Sequence, residues 1–485
     1  MRAITVAYGD GIGPEIMDAV LYILKEAKVP LRIETIEIGE KLYRRNYTSG
    51  INEEAWSSIA RTKILLKAPI TTPQGGGYKS LNVTLRKALG LFANVRPVIC
   101  YAPFIKTSHP NLDMVIVREN EEDLYAGIEY RHTHNSYESI KLITSTGSEK
   151  IIRYAFEYAK QNNKTLVSCL SKDNIMKFSD GIFHKIFDKI ASEYTTIKNN
   201  HYIIDIGTAR IATQPESFEV IVTSNLYGDI ISDVAAEISG SVGIAGSANI
   251  GTDYAMFEAV HGSAPDIAGK EIANPSGLLN AAIMMLVHLD MIDYANLIEN
   301  AWKRTLEEGI HTSDIYSADS NELVSTRNFA NAVVKRLGKI PTVLTTANYS
   351  VKDNKSKTEE VKIFIDSSEI KTLHGIDVFC DIKTTSPSGI ANKVIQLDLG
   401  VFELKTISSK GLKLWPHSQE DFEIMSDHWQ LRFMRKDEYE VSHSDITTLL
   451  TNLSKADVDF IQTANLYKFS SKGFSKLGYS LAQGE

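Results

Sequence analysis

Up to about residue 340 the chain alternates short β-branched runs with helix-length amphipathic segments, and this alternation constrains the fold more than any other feature. Strands are expected at 3–8, 33–38, 64–68, 114–118, 140–144, 166–170, 202–206 and 220–223. Between them, a helix is expected from Pro14, with Ile16, Val20, Ile23, Leu24 and Ala27 on one face. Further helices are expected near 149–161, 179–192, 228–239, 275–289, 294–308 and 327–338. The order predicts an α/β architecture with a largely parallel sheet.

Residues 345–372 break the pattern, because 348–360 is polar, charged and nearly free of apolar side chains, as a linker would be. Strands then resume at 376–382, 402–407 (continuing near 412–415), 429–434 and 460–466, with helices at 389–397 and 444–453 and Ser444 as N-cap. A β-α-β-β-α-β order over 373–485 predicts a small α+β, ferredoxin-like domain.

Composition removes several classes of function. Basic residues number 52 against 60 acidic ones, a net charge of −8, which argues against nucleic acid as a partner. Three widely spaced cysteines, Cys100, Cys169 and Cys380, exclude a disulfide scaffold. The first residues lack the apolar stretch of a signal peptide, so a cytoplasmic location is expected. The uncharged run 272–289 contains Asn274, Pro275, Ser276 and Asn280, so it predicts a buried helix rather than a membrane span.

Three segments hold chemistry. The first is 71–86, with Gly75, Gly76 and Gly77 in a row, then Ser80, Asn82 and Arg86, and Arg96 further on. Such a glycine loop lets backbone amides approach a ligand, and the following helix start attracts anions. Arg118 closes the apolar strand 114–118, where α/β folds place ligand groups. Any one of these arginines alone would more often pair with a surface carboxylate. Three near a glycine loop favour a polycarboxylate, which guanidinium forks grip bidentately.

The second segment is 225–233, in which Asp229 and Asp233 stand four apart and share a helix face. With Asp205, expected to close a strand, they suit a hard ion such as Mg²⁺ or Mn²⁺. Capping is the commoner role for such aspartates taken singly. The third segment, 258–275, is an irregular loop punctuated by Gly262, Pro265, Gly269 and Pro275. Neither it nor the stretch Gly9, Gly11, Gly13 has the GxGxxG dinucleotide spacing.

Together the motifs at 9–15, 93–97, 117–127, 225–233 and 258–275 resemble the isocitrate/isopropylmalate dehydrogenase family, the β-decarboxylating dehydrogenases. The likeness covers 1 to about 340 and is greatest to long bacterial isocitrate-type members that carry an extra C-terminal domain. It implies an isopropylmalate dehydrogenase-like two-domain core with a mixed sheet, not a GxGxxG Rossmann fold. The large domain would comprise 1–98 and 246–344, and a small domain with dimer contacts would comprise 99–245.

The implied activity is metal-dependent oxidative decarboxylation of isocitrate, a step of the tricarboxylic acid cycle. Arg86, Arg96 and Arg118 would clamp the carboxylates, with Ser80 and Asn82 setting substrate choice. Asp229 and Asp233, with Asp205 from a second subunit, would hold Mg²⁺ or Mn²⁺. Lys172 and Tyr125 match the family's proton-transfer lysine and tyrosine. Active sites shared between subunits imply a homodimer, and the C-terminal domain is a natural contributor to dimer or tetramer contacts.

Thr72, His261, Gly262, Ser263, Ala264, Asp266, Ile267 and Asn274 are the implied cofactor contacts. NADP-using members typically carry Lys-Tyr where this chain has Asp266-Ile267, and Ser313 and Ser317 replace their Tyr and Arg. A carboxylate suits a ribose 2′-hydroxyl and repels a 2′-phosphate, so NAD is the expected cofactor, with NADP as the alternative. Homoisocitrate, isopropylmalate or tartrate dehydrogenase, and a non-catalytic regulatory paralogue, are the competing functions.

Overall fold

The computed structural model describes residues 1–72, 80–350, 369–384, 386–416, 426–437 and 439–471. The triple glycine Gly75–Gly77 and most of the expected linker lie outside these residues. Packing divides the chain into two units, one of 1–126 with 141–362, the other of 127–140 with 363–485.

The first unit is built on a ten-stranded sheet in the order Leu31–Ile36, Arg2–Ala7, Ile64–Lys67, Ala255–Ala259, Gly246–Ile250, Ala93–Ile99, Asp113–Glu119, Val220–Thr223, Leu166–Ser171, Lys198–Ile203. Four parallel strands form each end, and the three pairings in the middle are antiparallel. The sheet is therefore mixed, as the family likeness implied. Chain direction reverses at the centre, which leaves a crevice of the kind where α/β sheets bind ligands.

Period-two alternation explains the layering. Val6, Leu66, Phe257, Val115, Val117, Val220 and Val222 join one core cluster that runs beneath both halves. Their neighbours point to the other face, where Leu65 and Met256 form one cluster and Met114, Ile116 and Ile221 another. Helix Ser276–His288 buries Leu278, Leu279, Ala281, Ala282, Met285 and Leu286, so the uncharged run is core. Among the described residues, no helix is long and apolar enough to cross a membrane.

Several expected elements shift. The strand expected at 202–206 ends at Ile203, and helix Ile204–Thr213 begins at once, so Asp205 sits in a helical first turn instead of closing a strand. The expected strand 140–144 is replaced by the short strand Tyr137–Ser139 and by Thr144, which caps helix Ser145–Gln161 through the Gly147 amide.

In the second unit a five-stranded antiparallel sheet runs Leu412–Trp415, Phe402–Ser409, Ser426–Arg435, Glu369–Thr384, Phe460–Ser471. Without its edge hairpin strand Leu412–Trp415, this is the order that a β-α-β-β-α-β module produces. Helices Pro387–Ile395 and His443–Lys455 cover it, packing Ile390, Val394, Leu449 and Leu453 against Val378, Trp429, Leu431 and Phe433. The N-cap of the second helix is Ser442, not Ser444, because Asp445 returns the capping bond to the Ser442 amide.

The segment 127–140 belongs to this unit by packing. Asp427 accepts hydrogen bonds from Thr133 Oγ1 (2.6 Å), Ser136 Oγ (3.1 Å) and Asn135 Nδ2 (3.2 Å), and Glu138 accepts one from Gln462 Nε2 (3.3 Å).

Candidate active site

Charged side chains from several elements converge at the centre of the ten-stranded sheet, around a cavity of about 200 Å³. Ser80, Asn82, Arg86, Arg96, Arg118, Tyr125, Asp229, His261 and Gly262 line it, as do Lys67 and Glu258. Asn82 and Arg86 share a face of helix Leu81–Ala88, one turn apart, with Ser80 at its N-cap position. Arg118 projects from the end of strand Asp113–Glu119 and Arg96 from the antiparallel strand Ala93–Ile99.

Each cation is held by a specific partner. Arg118 donates through Nε and Nη2 to Asn225 Oδ1 (3.0 and 2.7 Å) and through Nη1 to Asp229. Its guanidinium lies 4.9 Å above the Tyr125 ring, and the Tyr125 hydroxyl donates to the other oxygen of Asp229. Arg96 Nη1 lies 3.3 Å from Asp229 and 3.9 Å from Asp233, so both carboxylates of helix Asn225–Ile238 converge on one positive centre.

Burial, then the repulsion of Arg96 and Arg86, lowers Arg118 from its ordinary value. Burial works to raise Asp229, but Arg118, Arg96 and the Tyr125 hydroxyl outweigh it and keep the carboxylate ionised. Tyr125 is raised, chiefly by burial, so its phenol stays protonated near neutrality.

Lys67 and Glu258 line the cavity but are not among the site residues expected from the sequence. Lys67 Nζ, fully buried, lies 2.7 Å from Glu258 Oε2, and Arg86 Nη2 lies 3.0 Å from Glu258 Oε1. Asn249 Nδ2 donates to Glu258 Oε1 (2.9 Å), Asn94 Nδ2 donates to Asn249 Oδ1 (2.7 Å), and Arg96 Nε donates to Asn94 Oδ1 (2.6 Å). A chain of buried amides thus links Glu258 to Arg96 and fixes two clamps relative to each other. The signal was present: Lys67 closes the apolar strand Ile64–Lys67, and Arg118 likewise stands near the end of its own, one residue before Glu119.

Three polar atoms among the cavity residues are buried with no hydrogen-bond partner among the described residues: Asn82 Oδ1, Arg86 Nε and His261 Nε2. Buried polar atoms are normally satisfied, so this cluster marks a place that a polar ligand completes. The lining carries four cations, Lys67, Arg86, Arg96 and Arg118, against two carboxylates, Asp229 and Glu258, so an anion suits it.

Other expected site residues lie beyond this lining. Asp233 is exposed, one turn along from Asp229. Lys172 Nζ pairs with Asp205 Oδ1 at 2.9 Å, and neither lines the cavity. Of the expected cofactor contacts, exposed Thr72 donates to Ser80 Oγ (3.3 Å) and buried Ser263 accepts from Thr71 Oγ1 (2.9 Å). Ala264 has φ +39°, which orients the turn Pro265–Ile267; there Asp266 is exposed and Ile267 packs partly on the core. Asn274 is committed internally, donating to Asp314 Oδ2 (3.0 Å) and accepting from the Ser276 amide (2.9 Å).

The isocitrate/isopropylmalate dehydrogenase model matches residues 3–333, and the model of the bacterial isocitrate dehydrogenase C-terminal domain matches 371–485. The chain belongs to the isocitrate/isopropylmalate dehydrogenase family. It is 67% identical over 483 residues to a Rickettsia felis protein named isocitrate dehydrogenase [NADP], covering 99% of each chain. A Thermus thermophilus protein of the same name is 39% identical over 488 residues, covering all of this chain and 96% of that one. Among solved structures, that of a Thermus thermophilus protein superposes with a TM-score of 0.89 at 39% identity, covering 98% of this chain and 96% of that one. The names of the full-length relatives run against the expectation of NAD drawn from Asp266-Ile267.

Proposed function

We propose that this chain oxidises and decarboxylates isocitrate, giving 2-oxoglutarate and CO₂ with transfer of a hydride to a nicotinamide dinucleotide. The observation that carries this is the anion cavity, whose Asn82 Oδ1, Arg86 Nε and His261 Nε2 have no partner among the described residues, in a chain whose full-length relatives are named isocitrate dehydrogenase. Ser80 and Asn82 favour a third carboxylate over an alkyl group, which would leave them unpaired.

Arg86, Arg96 and Arg118 bind and orient the carboxylates, held at fixed separations by Glu258, Asn249, Asn94 and Asn225. Asp229 and Asp233 converge on one cationic centre and offer only hard oxygen donors, so they fit Mg²⁺ or Mn²⁺. When bound, such an ion supplies Lewis-acid stabilisation of negative charge on the substrate's α-oxygen. Lys172 takes the proton of the C2 hydroxyl as the hydride leaves C2. The C3–carboxylate bond then breaks, its electrons pass to the new carbonyl, and Tyr125 returns a proton to C3.

Lys172 and Asp205 pair away from the cavity of their own chain, so they serve the cavity of a second copy in a homodimer. A reducing cytoplasm suits the three unpaired cysteines.

NADP⁺ is the coenzyme that the names of the full-length relatives support. A second reading, NAD⁺, rests on exposed Asp266, a carboxylate that would repel a 2′-phosphate. Steady-state assays with isocitrate, homoisocitrate, isopropylmalate and tartrate, with each nicotinamide and with EDTA, test the proposal. Isocitrate should give the highest kcat/KM, and EDTA should abolish it. Preference for another acid, or no turnover at all, would overturn it. The NADP⁺ to NAD⁺ ratio of kcat/KM decides the coenzyme, and replacing Asp266-Ile267 by Lys-Tyr should raise that ratio on either reading.

A further inference from the structure

Beyond the carboxylate cavity, three side chains of metal-ligating chemistry meet at the edge of the ten-stranded sheet. Asp173 follows strand Leu166–Ser171, His184 lies in helix Ser179–Ala191, and His201 lies in the edge strand Lys198–Ile203. One ligand atom from each falls within 4.8 Å of the others. His184 Nδ1 lies 2.7 Å from Asp173 Oδ2, and His201 Nε2 lies 3.9 Å from Asp173 Oδ1. The two imidazoles stack with centroids 3.6 Å apart and planes at 17°. All three side chains are a quarter exposed or less, so solvent reaches the cluster without dominating it.

Two imidazole nitrogens and a carboxylate oxygen are a ligand set of the Zn²⁺ class. In a tetrahedral zinc site, metal–ligand lengths of ~2.0–2.1 Å place neighbouring ligand atoms roughly 3.3 Å apart. The separations of 2.7 and 3.9 Å, which run to the two different oxygens of Asp173, lie on either side of that value, and His201 Nε2 also sits 2.8 Å from Ser171 Oγ, so an ion would take that nitrogen from Ser171. Asp188 Oδ1 stands 3.6 Å from His184 Nε2, placed to hold the ring nitrogen that a metal would leave free.

We propose that Asp173, His184 and His201 bind a nitrogen-preferring divalent ion of the Zn²⁺ class, with its fourth position open to water. Two imidazole donors set this site apart in chemistry from the oxygen-only pair Asp229 and Asp233, which suits harder ions. Asp173 directly follows Lys172, whose amide donates to Asp180 Oδ2 (2.6 Å). An ion here would tie the segment that carries Lys172 to the edge strand.

The test uses the full chain, stripped of metal and then titrated with Zn²⁺ by calorimetry in excess Mg²⁺, which fills the oxygen sites. One Zn²⁺ per chain is expected to bind. His184→Gln and His201→Gln should each weaken it by about 10- to 100-fold, while Asp229→Asn leaves it unchanged. X-ray absorption on the zinc-loaded wild-type protein, independent of how any variant folds, should show two imidazoles on the metal. The proposal is overturned if no Zn²⁺ binds in excess Mg²⁺, if neither histidine substitution changes its affinity, or if the absorption spectrum lacks imidazole. In those cases the cluster is only a stacked, ion-paired histidine couple.

Discussion

Gly228 rests against the aliphatic stem of Arg118, so close that a Cβ at Gly228 would fall 2.5 Å from Arg118 Cγ and 2.7 Å from its Cβ. Glycine in a helix interior ordinarily costs about 1 kcal/mol relative to alanine, so this contact has to offset a local loss. Gly228→Ala should therefore leave the fold intact while pushing Arg118 away from Asn225 and Asp229. The expected result is a loss of about 100-fold in kcat/KM for isocitrate, the scale of a misplaced binding group, with little change in Tm. Unchanged kinetics would show that Arg118 is not positioned by this contact.

The Lys67–Glu258–Arg86 cluster predicts how stability depends on pH. Burial works to raise the Glu258 carboxyl, but Lys67 and Arg86 outweigh it and hold it far below its ordinary value of 4.5. A carboxyl depressed in the folded state contributes fully above its unfolded value, and that contribution is lost as pH falls below about 4.5. Glu258→Gln should destabilise the protein by about 3–5 kcal/mol near neutrality, by leaving Lys67 buried without its charge partner. Its Tm should also fall less steeply than the wild type's below pH 4.5. Parallel Tm-against-pH curves would contradict the assignment.

Asn82 tests substrate choice. Its Oδ1 is buried without a partner among the described residues, so replacement by Leu is expected to remove a charge-assisted contact to the substrate. The loss for isocitrate should be about 1.5–3 kcal/mol, on the order of 10- to 100-fold in kcat/KM. Activity on isopropylmalate should rise in relative terms, and competition assays with the two acids would measure the ratio.

In the second unit, Asp427 gathers Thr133, Asn135 and Ser136, and its carboxyl is lowered chiefly by the Thr133 hydroxyl. Asp427→Ala leaves those donors without their acceptor, at a cost of about 1–3 kcal/mol. Hydrogen exchange should speed up in 127–140 before it does in helix His443–Lys455. Uniform protection in the variant would refute this.

Much of the site was legible because its arginines close or flank apolar strands, a pattern that survives in one dimension. The three central strands Ala93–Ile99, Gly246–Ile250 and Ala255–Ala259 were not. They carry Asn94, Arg96, Asn249 and Glu258 as buried residues, so the polar groups that build the site also break the apolar run that identifies a strand. Asp205 was misplaced because the run Ile203, Ile204, Ile206 satisfies a strand and a helix start equally well. Ser442 and Ser444 both precede apolar spacing, and only the reciprocal bond from Asp445 separates them. Nothing local to 127–140 says which sheet it packs on, since that depends on Asp427, nearly three hundred residues away.

The excursion of 127–140 makes the second unit more than a tail. Among the described residues the chain passes between the units at 126/127 and again at 140/141. Cutting the protein after about 345 would remove Asp427 and Gln462 and so strip Thr133, Ser136 and Glu138 of their partners. Asp427 and Gln462 thus bind two stretches of chain, about three hundred residues apart in sequence, into one packed unit.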